Sequence, residues 1–500
     1  MDKYGILKKY YGYDSFRQGQ EKIIDCILSD RDVLAVMPTG AGKSLCFQIP
    51  ALMKDGLCLV ISPLISLMKD QITALRENGI CAETVNSSMP QDEINRIYDE
   101  AYRGKYKLLY VSPEKLDNNK FRNFSLNIQI SMICIDEAHC VSQWGHDFRS
   151  SYLRIADFIS SLPVRPVVCA FTATATEKVR NDITELLELN NPEVSVSGFD
   201  RSNLYFEINR TGNKKEFIRN YLIHHKDSSG IIYCATRKNT DELAYVFREE
   251  GFSVTRYHAG LTVKERRLNQ EAFVNGVRKV MIATNAFGMG IDKPDVRFVI
   301  HYNMPGDIES YYQEAGRAGR DGERAECILL FSPQDIALQK YFISRMPEDT
   351  GIDPDEAEKM KVRRKNMLSK MVSYASSQEC LRIKLLSYFG QGYDGKCMNC
   401  SVCLKEDGRK QESSFSKHGE VNEELLYYLL NIRNKIAKEK SVPGFVIMTD
   451  AVIEQICALK PSNLGELRRI KGINEYKTEK YGPVFIKAIQ SFELEDKKFF

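Results

Sequence analysis

The sequence predicts an α/β chain: two doubly wound parallel-sheet domains in series, then a small helical metal-binding module and a C-terminal all-α domain. Three observations predict it. Short apolar, β-rich runs alternate with helical segments over residues 1–204, and the same alternation restarts over 205–335. The strand pattern then stops, and a helical stretch, 336–405, ends in a four-cysteine array. Polar residues 406–420 read as a linker and 421–495 as a compact helical domain. A chain of 500 residues calls for three or four domains at ~100–200 residues each.

In the first half Val33–Val36, Cys58–Ile61, Leu108–Val111, Met132–Ile135 and Val167–Ala170 read as buried parallel strands. In the second half Gly230–Tyr233, Ser253–Arg256, Lys279–Ile282 and Phe298–Ile300 do. The intervening segments are long enough for crossover helices. In the last domain Leu425, Leu426, Leu429 and Leu430 form a helical apolar stripe that reads as core.

Composition narrows the function classes. At 43% hydrophobic and 27% charged, the chain is neither mainly disordered nor collagen-like. No stretch approaches the ~18 uninterrupted apolar residues of a membrane helix. Met1-Asp2-Lys3-Tyr4 lacks the apolar core of an export signal, so secretion is not expected. The 70 basic and 67 acidic residues nearly balance, so any nucleic-acid surface must be built locally. Of 14 cysteines, ten are scattered, several inside apolar runs as Cys134 is, and read as small buried hydrophobes.

Val33–Val36 runs into Met37-Pro38-Thr39-Gly40-Ala41-Gly42-Lys43-Ser44 and then a helix. A strand, a Gly-rich turn and a helix N-terminus make a phosphate cradle. Thr39, Gly40 and Gly42 would line it, Lys43 would reach the β- and γ-phosphates, and Ser44 would coordinate Mg²⁺. The strict motif begins with glycine, where this chain has Met37. Asp136-Glu137-Ala138-His139 follows a second apolar strand. Asp136 would hold Mg²⁺ and Glu137 would polarise the attacking water. Open α/β sheets bind ligands at the carboxyl ends of strands, where both motifs fall. In Gln313-Glu314-Ala315-Gly316-Arg317-Ala318-Gly319-Arg320 the two arginines are spaced i, i+3 and would share a helix face. Arg317 and Arg320, supplied by the second α/β domain, would neutralise γ-phosphate charge in the transition state and couple hydrolysis to domain closure. The reading against this is two surface arginines on an amphipathic helix.

Cys380, Cys397, Cys400 and Cys403 form a C-x16-C-x2-C-x2-C array. Four thiolates suit structural Zn²⁺, and an iron–sulfur cluster is the alternative that the residues leave open. The basic run Lys359, Lys361, Arg363, Arg364, Lys365 is either a solvated helix face or a duplex-DNA contact.

With these motifs the sequence resembles the superfamily-two helicases, and more specifically the RecQ family of DNA helicases. The resemblance runs over nearly the whole chain and implies two RecA-like domains, a zinc-binding module and an HRDC-like domain. Tyr11 to Gln20 resembles the family's adenine-recognition element. By that likeness Arg17 and Gln20 contact the nucleotide, Gln20 through its amide, with Tyr11 or Tyr13 stacking on the base. Phe171 to Thr176 matches motif III, Thr284 to Asp292 motif V and Gln313 to Arg320 motif VI, so Asp292 and Gln313 join the expected nucleotide contacts. His139 to Arg149 resembles the aromatic-rich loop that senses single-stranded DNA. Trp144 and Phe148 offer faces for unstacked bases, worth ~1–3 kcal/mol each. Arg149 would touch a phosphate or the ATP site, and Ser62 and Arg237 would line the rest of the DNA path. Pro443–Ile447, Leu467–Ile473 and Lys480–Gly482 resemble the HRDC domain.

The resemblance implies an ATP- and Mg²⁺-dependent 3′–5′ DNA helicase with structural Zn²⁺, acting in recombination and repair. Its expected partners are single-stranded and forked DNA, with single-stranded-DNA-binding or repair proteins, and no membrane. Its expected place is cytoplasmic, at the bacterial nucleoid, or nuclear in a eukaryote. One departure stands out: the family commonly inserts a winged-helix domain between zinc module and HRDC domain, and 406–420 leaves no room for one. Unwinding is then expected to be weak or to rely on another element. An RNA helicase and a non-unwinding DNA-binding scaffold are the rival readings. The aromatic-rich loop and zinc array speak against the first, the intact catalytic motifs against the second.

Overall fold

The computed structural model describes residues 1–87, 89–145, 147–288, 293–345, 354–406, 422–440 and 442–496. Two units emerge, one built chiefly from Met1–Ser197 with Ser416–Phe500, the other from Gly198–Met289 with Lys293–Phe415.

The first unit holds a seven-stranded sheet of β1 (Val33–Val36), β2 (Leu57–Ile61), β3 (Ala82–Val85), β4 (Leu108–Val111), β5 (Ile130–Ile135), β6 (Val167–Thr172) and β7 (Glu193–Val196). The order is β3-β4-β2-β5-β6-β1-β7, and every pair is parallel. The strands β1, β2, β4 and β6 are buried at every residue, because helices cover both faces. That double burial is why these strands read as unbroken apolar runs. The edge strands β3 and β7 were not expected. Ala-Glu-Thr-Val and Glu-Val-Ser-Val mix polar with apolar residues, and Val194 and Val196 face solvent.

The second unit holds β8 (Leu204–Asn209), β9 (Ser229–Tyr233), β10 (Val254–Tyr257), β11 (Val280–Ala283), β12 (Val296–His301) and β13 (Ala325–Leu330). They run in the order β10-β11-β9-β12-β13-β8, again all parallel. Here β8 and β13 are the additions to the expected set. Gly230 on β9 is obligatory, since a Cβ there would lie 2.0 Å from the Phe298 ring of β12.

The exposed edge of β8 is covered, as an unpaired edge must be. Phe206 bridges Cys400, and the Asn399 amide donates to the carbonyls of Ser202 (2.8 Å) and Leu204 (3.0 Å). Arg382, fully buried, donates to the Asp200 carboxylate and to the carbonyls of Arg201 (2.8 Å) and Leu204.

The C-terminal domain consists of helices Glu423–Lys440, Gly444–Ile447, Asp450–Leu459, Leu464–Arg468 and Glu475–Asp496. Leu425 and Leu429 point into a core shared with Ile453, Ile456, Leu467 and Phe485, while Leu426 and Leu430 flank it. Among the described residues no helix is long and apolar enough to cross a membrane.

Candidate nucleotide site and metal centre

The phosphate loop leaves β1 and enters the helix Lys43–Met53 through two left-handed glycines, Gly40 (φ 82) and Gly42 (φ 80), a backbone that side chains other than glycine resist. Met37 turns away from the loop cavity. It is 1% exposed, belongs to the central core cluster and lies 3.8 Å from the Cys46 sulfur. Its backbone N–H donates to Thr172 of β6, continuing the sheet by one residue. The departure from the strict motif is therefore a packing choice, and the cradle from Thr39 to Ser44 is intact.

Gln20 and Arg17 reach this loop. Gln20 Nε2 donates to the carbonyls of Ala41 (3.0 Å) and Gly42 (3.2 Å), and its Oε1 accepts from the Arg17 N–H (2.9 Å). Arg17 Nη1 donates to the Gly40 carbonyl (2.6 Å). Both side chains thus tie the Tyr11–Gln20 stretch to the phosphate loop. Tyr11 donates to Gln48 of the same loop's helix (2.8 Å).

The strands β1 and β5 are separated by β6, so Lys43 and Asp136 both follow the carboxyl ends of central strands, with motif III between them. Burial, then the neighbouring Glu137 carboxylate, pushes Asp136 up to about 7. Lys43, the Glu137 backbone N–H and the Ser62 hydroxyl pull against them. Glu137 adopts a left-handed backbone (φ 49, ψ 46), unusual for a residue with a Cβ. Its Oε2 is buried without a hydrogen-bond partner among the described residues, 3.3 Å from His139 Nδ1. A buried carboxylate oxygen with no hydrogen-bond donor of its own is an acceptor free to take one from a substrate water. His139 Nδ1 also lies 2.9 Å from Thr172 Oγ1. That hydroxyl donates to the Thr174 carbonyl (3.0 Å), so the imidazole is the donor to it. The DEAH turn and motif III are one hydrogen-bonded unit.

The aromatic-rich loop folds back on that turn. Gly145 donates to the Ser142 carbonyl (2.9 Å), and a Cβ on Gly145 would lie 2.4 Å from the His139 carbonyl. Trp144 is 41% exposed with Lys178 Nζ 2.9 Å from its ring centre, and Phe148 is half-buried. The tryptophan is thus a surface residue, not a core one. Arg149 donates to Asp147 (3.0 Å) and to the Pro63 carbonyl (3.0 Å), which pins the loop to the chain after β2. Ser62, just after β2, is 1% exposed. Arg237 is exposed at the first turn of the helix Arg237–Glu249.

In the second unit the expected shared helix face does not exist. The helix Ile308–Ala315 ends with Gly316 as its cap, and Arg317 and Arg320 lie in the turn beyond. Gly316 ends the helix, and Gly319 turns the chain beyond it in a left-handed conformation (φ 56). Arg201, which sequence reasoning missed, holds this turn: its guanidinium donates to the carbonyls of Gly316 (3.2 Å), Ala318 (3.0 Å) and Gly319 (2.6 Å). Asn203 adds a bond to Gly319 (2.9 Å). Arg317 is buried, and a Cβ on Gly288 would come within 3.1 Å of its Nη2, which brings motifs V and VI together. Gln313 is buried on the preceding helix. Asp292 lies outside the described residues. In the basic run, Arg364 pairs with Asp307 at 3.6 Å.

Cys380, Cys397, Cys400 and Cys403 place all four sulfurs within 4.8 Å of one another, with Cys397–Cys403 and Cys380–Cys400 each at 3.9 Å. A tetrahedron with Zn–S of ~2.3 Å needs S···S of about 3.8 Å, so the four thiols fit one ion. None of the fourteen cysteines is in a disulfide.

Four family models match in sequence order: DEAD/DEAH box helicase over residues 17–183, helicase conserved C-terminal domain over 213–322, RecQ zinc-binding over 333–404 and HRDC domain over 422–489. The ATP-binding helicase domain is thereby identified, and the cysteine cluster is the candidate centre of the zinc-binding module. "ATP-dependent DNA helicase RecQ" of Bacillus subtilis is 37% identical, covering 97% of this chain and 98% of that protein. The alignment spans 588 positions against a chain of 500, so that relative carries residues without a counterpart here. The protein of the same name from Pasteurella multocida is 44% identical over 80% of this chain, which spans 62% of that relative. The structure of Saccharomyces cerevisiae Dbp5 bound to RNA and ADP BeF3 shares the fold of the two α/β domains, with a TM-score of 0.53, 22% identity, and coverage of 71% of this chain and 94% of that one. With its helicase, zinc-binding and HRDC segments in this order, and a relative matched over nearly the full length of both chains, the protein belongs to the RecQ family of ATP-dependent DNA helicases.

Proposed function

We propose that the chain is an ATP- and Mg²⁺-dependent helicase that moves 3′ to 5′ along single-stranded DNA and unwinds duplexes in recombination and repair. The observation that carries this reading is at the carboxyl ends of the first sheet's central strands: Lys43, Asp136 and a Glu137 carboxylate whose buried Oε2 lacks a donor, wired through His139 to motif III.

Thr39, Gly40 and Gly42 wrap the phosphates with backbone N–H groups, and Lys43 balances their charge. Ser44 and Asp136 are the residues to hold Mg²⁺, which when bound neutralises phosphate charge. Glu137 orients the attacking water and takes its proton at Oε2. Arg317 and Arg320 stabilise charge developing on the γ-phosphate, an effect worth ~10³–10⁵ in rate. Asp292 and Gln313 complete the nucleotide contacts, and Arg17 and Gln20 read the base by exchanging loop carbonyls for the adenine edge. Trp144 and Phe148 stack on DNA bases, and Arg149 and Arg237 meet the backbone. Zn²⁺ held by Cys380, Cys397, Cys400 and Cys403 is structural. We place the protein with single-stranded and forked DNA, in a bacterial cytoplasm or a nucleus, alongside single-stranded-DNA-binding and repair proteins.

The test is strand separation on duplexes with a single 3′ or 5′ tail, at saturating ATP and Mg²⁺. Unwinding of the 3′-tailed duplex alone is expected. Unwinding of the 5′-tailed duplex alone would overturn the polarity. ATP hydrolysis stimulated by RNA and not by DNA would overturn the substrate.

A further inference from the structure

The C-terminal helical domain sits in the same unit as the phosphate loop, and it holds the segment that precedes Gln20. Asn474 is the centre of the contact. It is 2% exposed, and its Nδ2 donates to the Tyr10 carbonyl (2.6 Å) and to Asn78 Oδ1 (3.3 Å). Its Oδ1 accepts from the Lys477 N–H (2.7 Å), which caps the helix Glu475–Asp496. One side chain therefore begins a helix in one domain and grips the backbone of another.

Two further contacts reinforce it. Gly472 donates to the Gly12 carbonyl (3.2 Å), and Gly12 (φ 74) lies so close that a Cβ there would be 2.6 Å from the Ile473 carbonyl oxygen. At the end of the helix Ile65–Glu77, the Glu77 carboxylate accepts from Lys480 Nζ (3.1 Å) and from the Tyr481 hydroxyl. The grip is continuous with the nucleotide site. Tyr10 and Tyr11 pack against the core cluster that contains Cys46 and Phe47 of the phosphate-loop helix, and Tyr11 donates to Gln48 of that helix. Gly12 leads into the Arg17–Gln20 stretch that is hydrogen-bonded to the loop itself.

We propose that Asn474 is a positioning residue for ATP: by fixing Tyr10–Gly12, the C-terminal domain holds the adenine-recognition stretch in register with the phosphate loop and so sets nucleotide affinity. Losing the grip costs binding, because the stretch must then be ordered by ATP itself. This rests on residues 17–44 being the ATP site.

The test uses the full chain with Asn474→Asp. Aspartate keeps the acceptor that caps the helix but removes the donor to Tyr10 and sets a negative charge against a carbonyl. Affinity for a fluorescent non-hydrolysable ATP analogue, and KM and kcat for DNA-stimulated ATP hydrolysis, are read together. The expected result is KM and dissociation constant raised roughly five- to tenfold, of the size of one lost buried hydrogen bond, with kcat within about twofold. Lys480→Glu should raise KM in the same direction, and Glu77→Lys added to it should restore KM, which a mere folding defect would not do. Unchanged analogue affinity in a folded Asn474→Asp protein would overturn the proposal, as would a fall in kcat at constant KM. Failure of the wild type to bind the analogue would overturn the ATP reading beneath it, and so is told apart from failure of this inference alone.

Discussion

Replacing Met37 by glycine restores the strict phosphate-loop motif, and the structure says this will harm the protein without helping its chemistry. The side chain is 1% exposed, sits in the core cluster beneath β1 and touches Cys46. Removing a buried methionine side chain costs about 2–5 kcal/mol in transfer and cavity terms. The change from alanine to glycine adds roughly 0.5–1 kcal/mol of backbone entropy. Against a domain stability of about 5–15 kcal/mol, that is a large fraction. At roughly 2–4 °C per kcal/mol for a domain of this size, the midpoint should fall by about 5–24 °C. Thermal and urea unfolding of wild type and Met37→Gly measure it, with ATP KM taken well below the transition. The account expects a large stability loss with KM within about twofold. A variant as stable as wild type, or one with strongly improved ATP affinity, would refute the assignment of Met37 to the core.

Three further outcomes follow from the second unit. Burial, then the Asp307 carboxylate, pushes Glu309 up to about 7 against the Tyr388 hydroxyl bonded to it, so its folded form holds a proton that the unfolded chain releases near 4.5. Its contribution is present below pH ~4.5 and lost as pH rises through ~7, on the order of 3 kcal/mol. Glu309→Gln should therefore raise the melting temperature at pH 8 and leave it nearly unchanged at pH 4.5. Equal effects at both would refute the buried-charge account. Arg201→Ala should lower kcat by roughly 10–100-fold with ATP KM nearly unchanged, because it frees the turn that aims Arg317 and Arg320; steady-state ATPase assays with unchanged kcat would contradict this. Metal analysis should find one zinc per chain, lost in Cys400→Ser together with thermal stability. Iron with broad visible absorption would contradict it.

The parts of the molecule legible in the sequence are those where local chemistry and burial agree. Doubly covered parallel strands such as β1 and β6 are apolar throughout, and a phosphate loop must place its glycines where φ is positive. The cysteine cluster was legible from spacing alone. What escaped depends on distant partners. Arg317 and Arg320 were expected on a shared helix face, but Gly316 ends the helix and Arg201, more than a hundred residues upstream, shapes the turn through three carbonyls. Nor does local sequence show the burial of Ser62, which follows from β2 lying between β4 and β5. Edge strands β3, β7 and β8 escaped because they are short or half-polar. No local signal marks Arg382 as the buried anchor of the zinc module. A lone arginine after a cysteine is ordinary until the strand carbonyls that it meets are known.

If Glu137 drives the ATP hydrolysis that powers strand separation, its amide variant must lose both. Single-turnover ATP hydrolysis and unwinding of a 3′-tailed fork, measured side by side for wild type and Glu137→Gln, test it most directly. The variant should bind ATP and DNA as wild type does, hydrolyse ATP about 10²–10⁴-fold more slowly, and separate no strands. A Glu137→Gln protein that hydrolyses or unwinds at the wild-type rate would contradict it.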